Sequence, residues 1–388
     1  MLRDVFHLHI PALPVALARL ADPALRGKPT VVSTGGPRGV VLCASAEARG
    51  EGIGKGMPLS QARRLCRRVA VAPPEPSRVL SAQGALAAVA GRYTPLLEPS
   101  RPGHFYLEMT GGRRLLGEPR DAASRLALEV ASRLSLAASV GIGPNKLVAA
   151  IASKVLSADG VCDVVRGSEA AFLAPLPVSL LPGVGEKRLL LLRDWNVRSI
   201  GELASIRPAR LEAVFGPGAR ILHERAAGID PTPVKPPEER TGISESRTLD
   251  ADECDDGLLI AHLFSLLEAA CRALRLTARA ARRIEVRLTH SDGREESSAL
   301  LLPKPLFWDF ELKPLVHKLF FRACRRRVRV RRIGLSLTGL AALSPQLELF
   351  GGDGGRERDK SLLLALDEIR RRHGFGSVGF AAALAPAP

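Results

Sequence analysis

The chain has 388 residues, of which 46% are hydrophobic and 25% are charged, with a formal net charge of +16 and a pI near 10.3. This length is typical of about two to four domains with their own cores, and the charge indicates a polyanionic partner, with nucleic acid ahead of a membrane surface. No uninterrupted apolar run reaches the ~18 residues of a spanning helix, so we expect no membrane partner. The six cysteines are scattered and include no Cys-x-x-Cys pair, so we expect no zinc finger and a cytosolic protein.

The first part of the chain, up to about residue 165, alternates strand and helix patterns. A glycine-rich turn at residues 35–39 is expected to join two strands. In chain order the predicted elements are a strand over 5–10 followed by a helix, strands over 30–33 and 40–44, a basic helix over 59–68, a helix over 78–93, a strand over 105–110 and a helix over 120–134.

Residues 136–153 are the most informative stretch. An apolar run of strand length over 136–142 leads into a Gly-Pro turn. Leu147, Ile151 and Val155 then recur at helical spacing. The pattern predicts a buried strand that turns directly into a helix.

Residues 168–230 are predicted to be helical, with glycines at the turns. The sequence Leu-Pro-Gly-Val-Gly ends at Gly185 and is typical of a helix-hairpin-helix, in which glycines let the backbone approach a phosphate at a helix N-terminus. We expect Gly183, Gly185, Lys187 and Arg188 to contact DNA. A similar Phe-Gly-Pro-Gly sequence follows at residues 215–218, although an ordinary helical turn remains the alternative.

A linker and a further domain follow. Residues 229–240 contain four prolines, which indicates a linker. From about 241 to 341 the pattern predicts strand, helix (257–276), strand, strand, helix (308–324) and strand.

An arginine run begins the last of these strands. Residues 325–332 contain six arginines and two valines. Strand alternation would place Arg325, Arg327, Arg329 and Arg331 on one face, where they would contact phosphates without reading sequence. A solvated edge strand is the alternative.

The segment from residue 343 onward departs from globular composition. A short apolar peptide formed by Gln346, Leu347, Glu348, Leu349 and Phe350 is followed by glycines, and we expect its side chains to enter a pocket of a partner protein. A strand end packed on the preceding domain is the alternative. A last helix is predicted over residues 361–372.

These motifs resemble the Y-family (translesion) DNA polymerases. Gly141, Asn145, Lys146, Ala152 and Ser153 match the family pattern SxGIxxNKxxAKxAS in register, and the likeness extends from about residue 5 to about residue 340. It implies an α+β multidomain fold. The implied modules are a palm (1–19 and 76–167), fingers (20–75), a thumb with the helix-hairpin-helix (168–230), a linker (231–242), a little finger (243–342) and a clamp-binding tail with a terminal helix (343–388).

The carboxylates with which this family binds two Mg²⁺ ions are missing. The family has a His-x-Asp-x-Asp pattern in its first strand and an Asp-Glu pair before a Tyr-Leu-Asp strand. At the aligned positions this chain has His9, Pro11, Gly103 and His104. The resemblance therefore implies no catalytic residue, no metal and no cofactor. Zinc held by His9 and His104, with His7 on the same strand face, is the minor alternative, because imidazole suits zinc better than magnesium.

Residues that contact the nucleotide in this family are also replaced. The triphosphate-binding Tyr and Lys fall on Ala46 and Ser157, and the aromatic pair that gates the sugar falls on Leu13-Pro14. Arg49 is the remaining nucleotide-phosphate position. The parts of one mechanism have been lost together, as expected after relaxed selection on catalysis.

Within the Y family the chain is similar to the catalytically degenerate ImuB proteins. That resemblance implies a cytoplasmic, nucleoid-associated adaptor in translesion synthesis and SOS mutagenesis, with Gln346, Leu347, Leu349 and Phe350 as the clamp-binding motif. The implied partners are DNA without sequence preference, the beta sliding clamp, the alpha subunit of an error-prone C-family polymerase, and an ImuA or RecA-like protein. Two alternatives are an active polymerase with a metal site displaced to Asp4 or Glu108, and a helix-hairpin-helix DNA-binding module without a clamp role.

Overall fold

The structure of the protein, a computed structural model, describes residues 3–156, 159–216, 218–236, 242–342, 354–373 and 377–378. The chain divides into two compact units, Met1–Pro237 and Glu238–Pro388. The division falls within the predicted linker at residues 231–242. Both units combine helices with a sheet, which confirms the predicted α+β class.

The first unit alternates strands and helices up to residue 163 and is helical beyond it. Short 3-10 helices lie at Pro23–Leu25 and Val178–Leu180. The other elements are, in chain order, β1 (Val5–His9), α1 (Leu13–Ala21), β2 (Thr30–Ser33), β3 (Val41–Ala44), α2 (Ala46–Gly50), α3 (Leu59–Leu65), β4 (Ala70–Ala72), α4 (Pro76–Ala90), β5 (Leu97–Arg101), β6 (His104–Glu108), α5 (Arg113–Leu116), α6 (Pro119–Leu134), β7 (Ser139–Gly143), α7 (Lys146–Val155), β8 (Gly160–Asp163), α8 (Glu169–Leu173), α9 (Glu186–Asp194), α10 (Ile200–Ser205), α11 (Pro208–Phe215) and α12 (Ala219–Ala226).

A five-stranded sheet in the order β5-β6-β1-β7-β8 forms the centre of the first unit. Its middle strand, β1, is antiparallel to both neighbours, so that Val5 lies opposite Glu108 and His9 opposite His104. Successive side chains point to opposite faces of the sheet. The apolar face packs with α4 and α6 around a core that includes Phe6, Leu8, Leu86, Phe105, Leu107, Leu126, Val130, Val140 and Ile142.

Helix α7 covers the other face of this sheet at close range. A Cβ at Gly141 would collide with the carbonyl oxygen of Ala149 and the backbone nitrogen of Ser153, so only glycine permits this approach. The side chain of Asn145 caps the helix N-terminus. Residues 147–153 are all buried, because the far side of α7 packs into the core formed by α8–α12. The last turn of α7 is thereby held against the middle of the sheet.

A smaller three-stranded sheet in the order β3-β2-β4 lies within residues 30–72. Strands β2 and β3 are antiparallel, as predicted for the hairpin around residues 35–39, and β2 and β4 are parallel. Val31, Val41 and Ile53 belong to a core cluster of its own.

The second unit has the predicted order of strands and helices. Its sheet has the strand order β11-β10-β12-β9, and β13 pairs with β10. Both long helices, α13 and α14, contribute to one core with the sheet. The elements are β9 (Gly242–Glu253), α13 (Asp256–Leu276), β10 (Arg279–His290), β11 (Glu295–Leu306), α14 (Asp309–Ala323), β12 (Val330–Thr338), β13 (Ala341–Ala342) and α15 (Gly354–His373).

Helix α13 qualifies as a candidate membrane span by length and composition alone. Half of its most apolar window is buried inside the protein, and Leu263, Leu267 and Cys271 belong to the core of the second unit. It also holds the buried carboxylate of Glu268. These contacts identify α13 as the core helix of this unit.

The terminal helix α15 packs against α13. It begins at Gly354, earlier than the predicted start at residue 361. Arg275 of α13 binds two carboxylates, Asp309 at 2.6 Å and Asp367 of α15 at 2.7 Å. Leu363 of α15 is fully buried. The docking site of this helix, which the sequence left open, is therefore the surface of α13.

Candidate functional site

Two of the positions predicted to be degenerate, His9 and His104, lie side by side on the polar face of the large sheet. Their ring centroids are 4.4 Å apart and the ring planes are inclined by 20°. Pro11 lies in the turn between β1 and α1, and Gly103 lies in the turn between β5 and β6. The Ile10 N–H donates to the Gly103 carbonyl at 2.8 Å and ties these turns together. All four positions therefore meet at one end of the strands.

Gly103 has a backbone conformation that excludes a carboxylate. Its φ of 77° lies in the left-handed region, and a Cβ would lie 3.0 Å from the Ile10 carbonyl oxygen and 3.1 Å from the Leu13 Cβ. An aspartate here would be strained in its backbone and crowded by its neighbours. Glycine at position 103 is therefore required by the shape of the hairpin.

A chain of hydrogen bonds fixes the protons of the buried histidine. The hydroxyl of Ser153 donates to the Ala150 carbonyl at 3.0 Å, so its oxygen accepts from the Nδ1–H of His7 at 2.6 Å. The Nε2 of His7 is then an acceptor, and the Nδ1 of His104 donates to it at 3.3 Å. The close approach of α7 to the sheet is what brings Ser153 to His7.

All three imidazoles are neutral near pH 7. Burial is the largest cause that lowers the pKa of His7 well below its ordinary value. Burial likewise lowers the pKa of His9 to about 4 and that of His104 to about 3. The positive charges of Lys154 and Arg101 lower the pKa of each histidine further.

Positive side chains lie near enough to the histidines to lower their pKa values. Lys154 is half-buried in the last turn of α7, and burial followed by the charge of Arg101 lowers its pKa. Arg101 ends β5, and Arg49 lies in α2, where its charge lowers the pKa of His9. Within the part of the chain that the structure describes, no carboxylate forms an ion pair with Lys154, Arg101 or Arg49. The site is electropositive.

Asp4, directly before β1, and Glu108, the last residue of β6, lie at the other end of the sheet. Asp4 pairs with Arg166 at 3.0 Å, and Glu108 pairs with Arg3 at 3.1 Å. Glu108 lies four strand positions from His104, which corresponds to roughly 13 Å. Mg²⁺ requires oxygen ligands, and imidazoles among cations do not fit it. The described residues contain no group of three or more His, Cys, Asp or Glu side chains that could hold a metal ion.

Two glycine loops of the helical region lie next to each other. Gly183, with a φ of 101°, precedes α9, and Gly218 directly precedes α12. Arg188 joins them: its guanidinium donates to the Gly183 carbonyl at 2.9 Å and lies 3.7 Å from where a Cβ of Gly218 would be. Arg188 therefore supports the loop, while Lys187 and the N-cap residue Gly185 are exposed.

Comparison with known proteins identifies the family. Residues 8–154 match the model of the impB/mucB/samB family, and residues 240–349 match the model of that family's C-terminal domain. The chain is 34% identical over 382 residues to a DNA polymerase IV of Dehalococcoides mccartyi, covering 97% of this chain and 96% of the relative. The chain belongs to the Y family of DNA polymerases.

Other members of the Y family are also similar to this chain over most of its length. A DNA polymerase IV of Xanthomonas campestris pv. campestris is 32% identical over 363 residues, covering 90% of this chain and 99% of the relative. A solved Y-family DNA polymerase chimera superposes with a TM-score of 0.72 at 20% identity, over 87% of this chain and 99% of that chain. The Y-family fold predicted from the sequence motifs is confirmed.

The arginine row expected in this Y-family chain is only partly in a strand. The prediction of a strand through residues 325–332 is wrong for 325–329, because β12 begins at Val330 and the preceding residues form a bend. Arg326, within this bend, pairs with Asp292 at 2.6 Å. The four predicted residues are nevertheless exposed in alternation: Arg325, Arg327, Arg329 and Arg331.

One arginine of this row already forms an ion pair within the protein. Arg331 pairs with Asp252 of β9 at 3.3 Å, so its charge is partly neutralised within the sheet. Arg325, Arg327 and Arg329 have no ion pair with a carboxylate among the residues described. These three arginines are the better candidates for phosphate contacts.

Of the remaining predicted site residues, the structure describes Arg49 but not the others. Arg49 is exposed in α2, which begins at Ala46 and is capped by the Ser45 side chain. Ser157 lies outside the described residues. So do the predicted clamp-binding residues Gln346, Leu347, Leu349 and Phe350.

Sequence reasoning missed the basic residues beside the histidines. Lys154 directly follows the matched Ser153, and its charge next to a predicted active site was an available signal. Arg101 had no such signal, because its position depends on the β5–β6 hairpin, whose first strand was not predicted. The contact between His7 and Ser153 spans 146 residues and needed the fold.

Proposed function

We propose that this Y-family protein is a non-catalytic, ImuB-like adaptor of translesion synthesis that holds DNA and the beta sliding clamp. The observation that carries the proposal is the stacked pair His9 and His104 at the aligned carboxylate positions, among positive side chains. Nucleotidyl transfer needs two metal ions bridged by carboxylates, to activate the attacking hydroxyl and to neutralise the phosphates. Neutral imidazoles beside Lys154 and Arg101 supply neither the charge nor the oxygen ligands.

DNA binding without sequence preference is part of the proposal. A net charge of +16, the exposed backbone at Gly185 before α9, and the exposed Arg325, Arg327 and Arg329 all support contacts to phosphate. The relatives are named DNA polymerases, which supports DNA as the ancestral substrate.

The proposal of the clamp and of the further partners is based on the sequence. The peptide with Gln346, Leu347, Leu349 and Phe350 resembles a clamp-binding motif, and it lies between β13 and α15, both part of the second unit. The alpha subunit of an error-prone C-family polymerase and an ImuA or RecA-like protein are the proposed further partners.

The module names follow from the same proposal. The large sheet with α4, α6 and α7 would be the palm, the small sheet with α2 and α3 the fingers, and helices α8–α12 the thumb. The second unit would be the little finger, with α15 docked on it. The family-model matches at residues 8–154 and 240–349 support separate catalytic-type and C-terminal modules.

An active translesion polymerase is the second candidate function, because the relatives at 34% and 32% identity are named DNA polymerase IV. Its metals would need carboxylates from elsewhere, and the candidates are Asp4, directly before β1, and Glu108, the last residue of β6. Both are ion-paired with arginines at the end of the strands away from His9. This arrangement favours the non-catalytic function.

Primer extension distinguishes the two functions. With a primed template and either Mg²⁺ or Mn²⁺, we expect no incorporation above background, while binding of the same DNA in a gel-shift assay persists. Glu108→Gln and Asp4→Asn are the informative variants. Template-dependent incorporation that either variant abolishes would establish a displaced metal site and overturn the non-catalytic function.

A further inference from the structure

We propose that a pocket of the helical region, between α9 and the turn at residues 177–180, is a docking site for an acidic peptide segment of a partner protein. The peptide would place a carboxylate within reach of Arg193 and Arg198 and an aliphatic side chain against the apolar lining. The pocket has a volume of about 430 Å³. It is a different surface from the loop at Gly185, the arginine row and the clamp peptide of the proposed function.

Backbone hydrogen bonds fix the walls of this pocket. The Val178 N–H donates to the Arg198 carbonyl at 2.8 Å, and the Ile200 N–H donates to the Leu176 carbonyl at 2.9 Å. These bonds hold the turn at residues 177–180 against the connection from α9 to α10. Because the walls are already ordered, a ligand that enters the pocket does not have to order them.

The lining of the pocket is largely aliphatic. Val178 and Val197 are buried and Leu189 is partly buried, and all three line the pocket. Leu190, directly after Leu189, is 59% exposed and shares a face of α9 with Arg193, three residues later. The apolar surface therefore continues from the pocket onto an exposed part of the helix, as in the central part of a protein interface.

The two arginines of the pocket have no carboxylate partner. Arg193 and Arg198 are exposed, and among the described residues neither guanidinium forms an ion pair. The carboxylate of Glu202 instead accepts from the backbone N–H groups of Arg198 at 2.7 Å and Ser199 at 2.9 Å, within the capping box of α10. Both guanidinium groups can therefore bind a carboxylate from another molecule through charge-assisted hydrogen bonds.

An acidic peptide is the occupant that fits both features. A basic peptide would be repelled by Arg193 and Arg198. The phosphates of DNA would use the arginines but leave the aliphatic lining without a partner, since phosphate oxygens need hydrogen-bond donors. A peptide that combines an aliphatic side chain with a carboxylate uses the lining and the charges together, and arginine is among the residues enriched at the energetic centres of protein interfaces.

Selection of random peptides displayed on phage tests the proposal. The library is first depleted on the full chain with Arg193→Glu and Arg198→Glu, and then selected on the unmodified full chain. We expect the enriched peptides to carry an aspartate or glutamate next to an aliphatic residue. Selection without enrichment, or enriched peptides that lack an acidic residue, would overturn the proposal.

The affinity of a synthetic peptide of the enriched sequence, measured by fluorescence anisotropy, assigns the binding to the two arginines. Arg193→Gln and Arg198→Gln should each weaken binding by roughly tenfold or more, since each removes a charge-assisted contact. Arg210→Gln, at an exposed position of α11 in the same helical region, is the matched control and should leave the affinity unchanged. Equal losses in all three variants would contradict a site at this pocket.

Competition with duplex DNA distinguishes a peptide site from a phosphate contact. We expect Arg193→Gln and Arg198→Gln to bind duplex DNA as tightly as Arg210→Gln does. If the first two variants instead lose DNA affinity and keep their affinity for the peptide, the arginines are phosphate contacts and the proposal fails. Melting temperatures show whether the variants fold, and primer extension on the same samples reports separately on the proposed function.

Discussion

The guanidinium of Arg370 donates to the carboxylate of Glu268 at 2.6 Å, and both side chains are buried between α15 and α13. Burial raises the pKa of Glu268, and the charge of Arg370 offsets part of that rise. This pair connects the terminal helix to the core helix of the second unit across 102 positions of sequence.

Loss of this arginine should destabilise the second unit. Arg370→Ala leaves the Glu268 carboxylate buried without this partner, and the free energy of unfolding should fall by about 3–5 kcal/mol. Arg372→Ala, on the same helix, removes an exposed pair with Glu368 and should cost less than about 0.5 kcal/mol. Urea denaturation measures both. A double variant, Glu268→Leu with Arg370→Met, should recover most of the loss. If Arg370→Ala and Arg372→Ala lower the free energy of unfolding equally, the buried pair is contradicted.

The histidine cluster predicts acid sensitivity. The folded protein lowers the pKa of His9 from about 6.5 to about 4 and that of His104 to about 3, so the stability from keeping them neutral is present above pH 6.5 and is lost as the pH falls. For His9 alone the loss at pH 5 is roughly 2 kcal/mol.

Melting temperatures at pH 7.5 and pH 5 measure this effect. The drop should be smaller in a variant with His9→Gln and His104→Gln than in the unmodified protein. His317→Gln, at an exposed position of α14, is the control and should leave the drop unchanged. The same drop in all three proteins would mean that the histidines of the cluster take up protons as readily in the folded protein as in the unfolded chain.

The glycines of the loop before α9 should have separable roles. Gly185 has a φ of −85° and open space where a Cβ would be, so Gly185→Ala should leave the melting temperature unchanged but weaken DNA binding, because the methyl group occupies the approach to the helix N-terminus. Gly183 has a φ of 101°, so Gly183→Ala should also destabilise the protein, by about 1–3 kcal/mol. DNA affinity that is unaffected by Gly185→Ala would exclude this loop from the interface.

The salt dependence of DNA binding tests the arginine row. Replacing Arg327 and Arg329 with alanine should reduce the slope of log affinity against log salt by roughly one unit per lost phosphate contact. Replacing Arg114 and Arg120, two exposed arginines of the first unit, removes the same charge and should change the slope less. Equal changes would indicate an effect of net charge alone.

The clamp peptide should act without contributing to folding. Leu349→Ala with Phe350→Ala should abolish clamp binding in a pull-down, since burying these side chains in a partner contributes ~1.5–3 kcal/mol each. DNA affinity and melting temperature should stay unchanged. Leu363→Ala is the contrasting variant, because Leu363 is fully buried and its loss should lower the melting temperature. A large fall in melting temperature for the double variant would place the peptide in the core of the second unit.

Much of the fold could be predicted from local patterns. The hairpin of β2 and β3, the strand-to-helix turn before α7 and the order of elements in the second unit all match the sequence analysis, because period-2 and period-3.6 patterns and turn residues act over short distances. The sequence also shows that positions 9, 103 and 104 hold no carboxylate, and their correspondence to the metal-binding acids of the family stays a prediction from aligned motifs.

The sequence by itself therefore determined the family and the order of helices and strands in the second unit. Only the tertiary structure decided that Ser153 meets His7, that Lys154 and Arg101 converge on the histidines, and that Arg370 docks α15 on α13. It also decided that residues 326–328 form a bend, where Arg326 pairs with Asp292 of the turn between β10 and β11. Each of these contacts joins residues far apart in the chain, and local periodicity contains no information about which distant surfaces pack together.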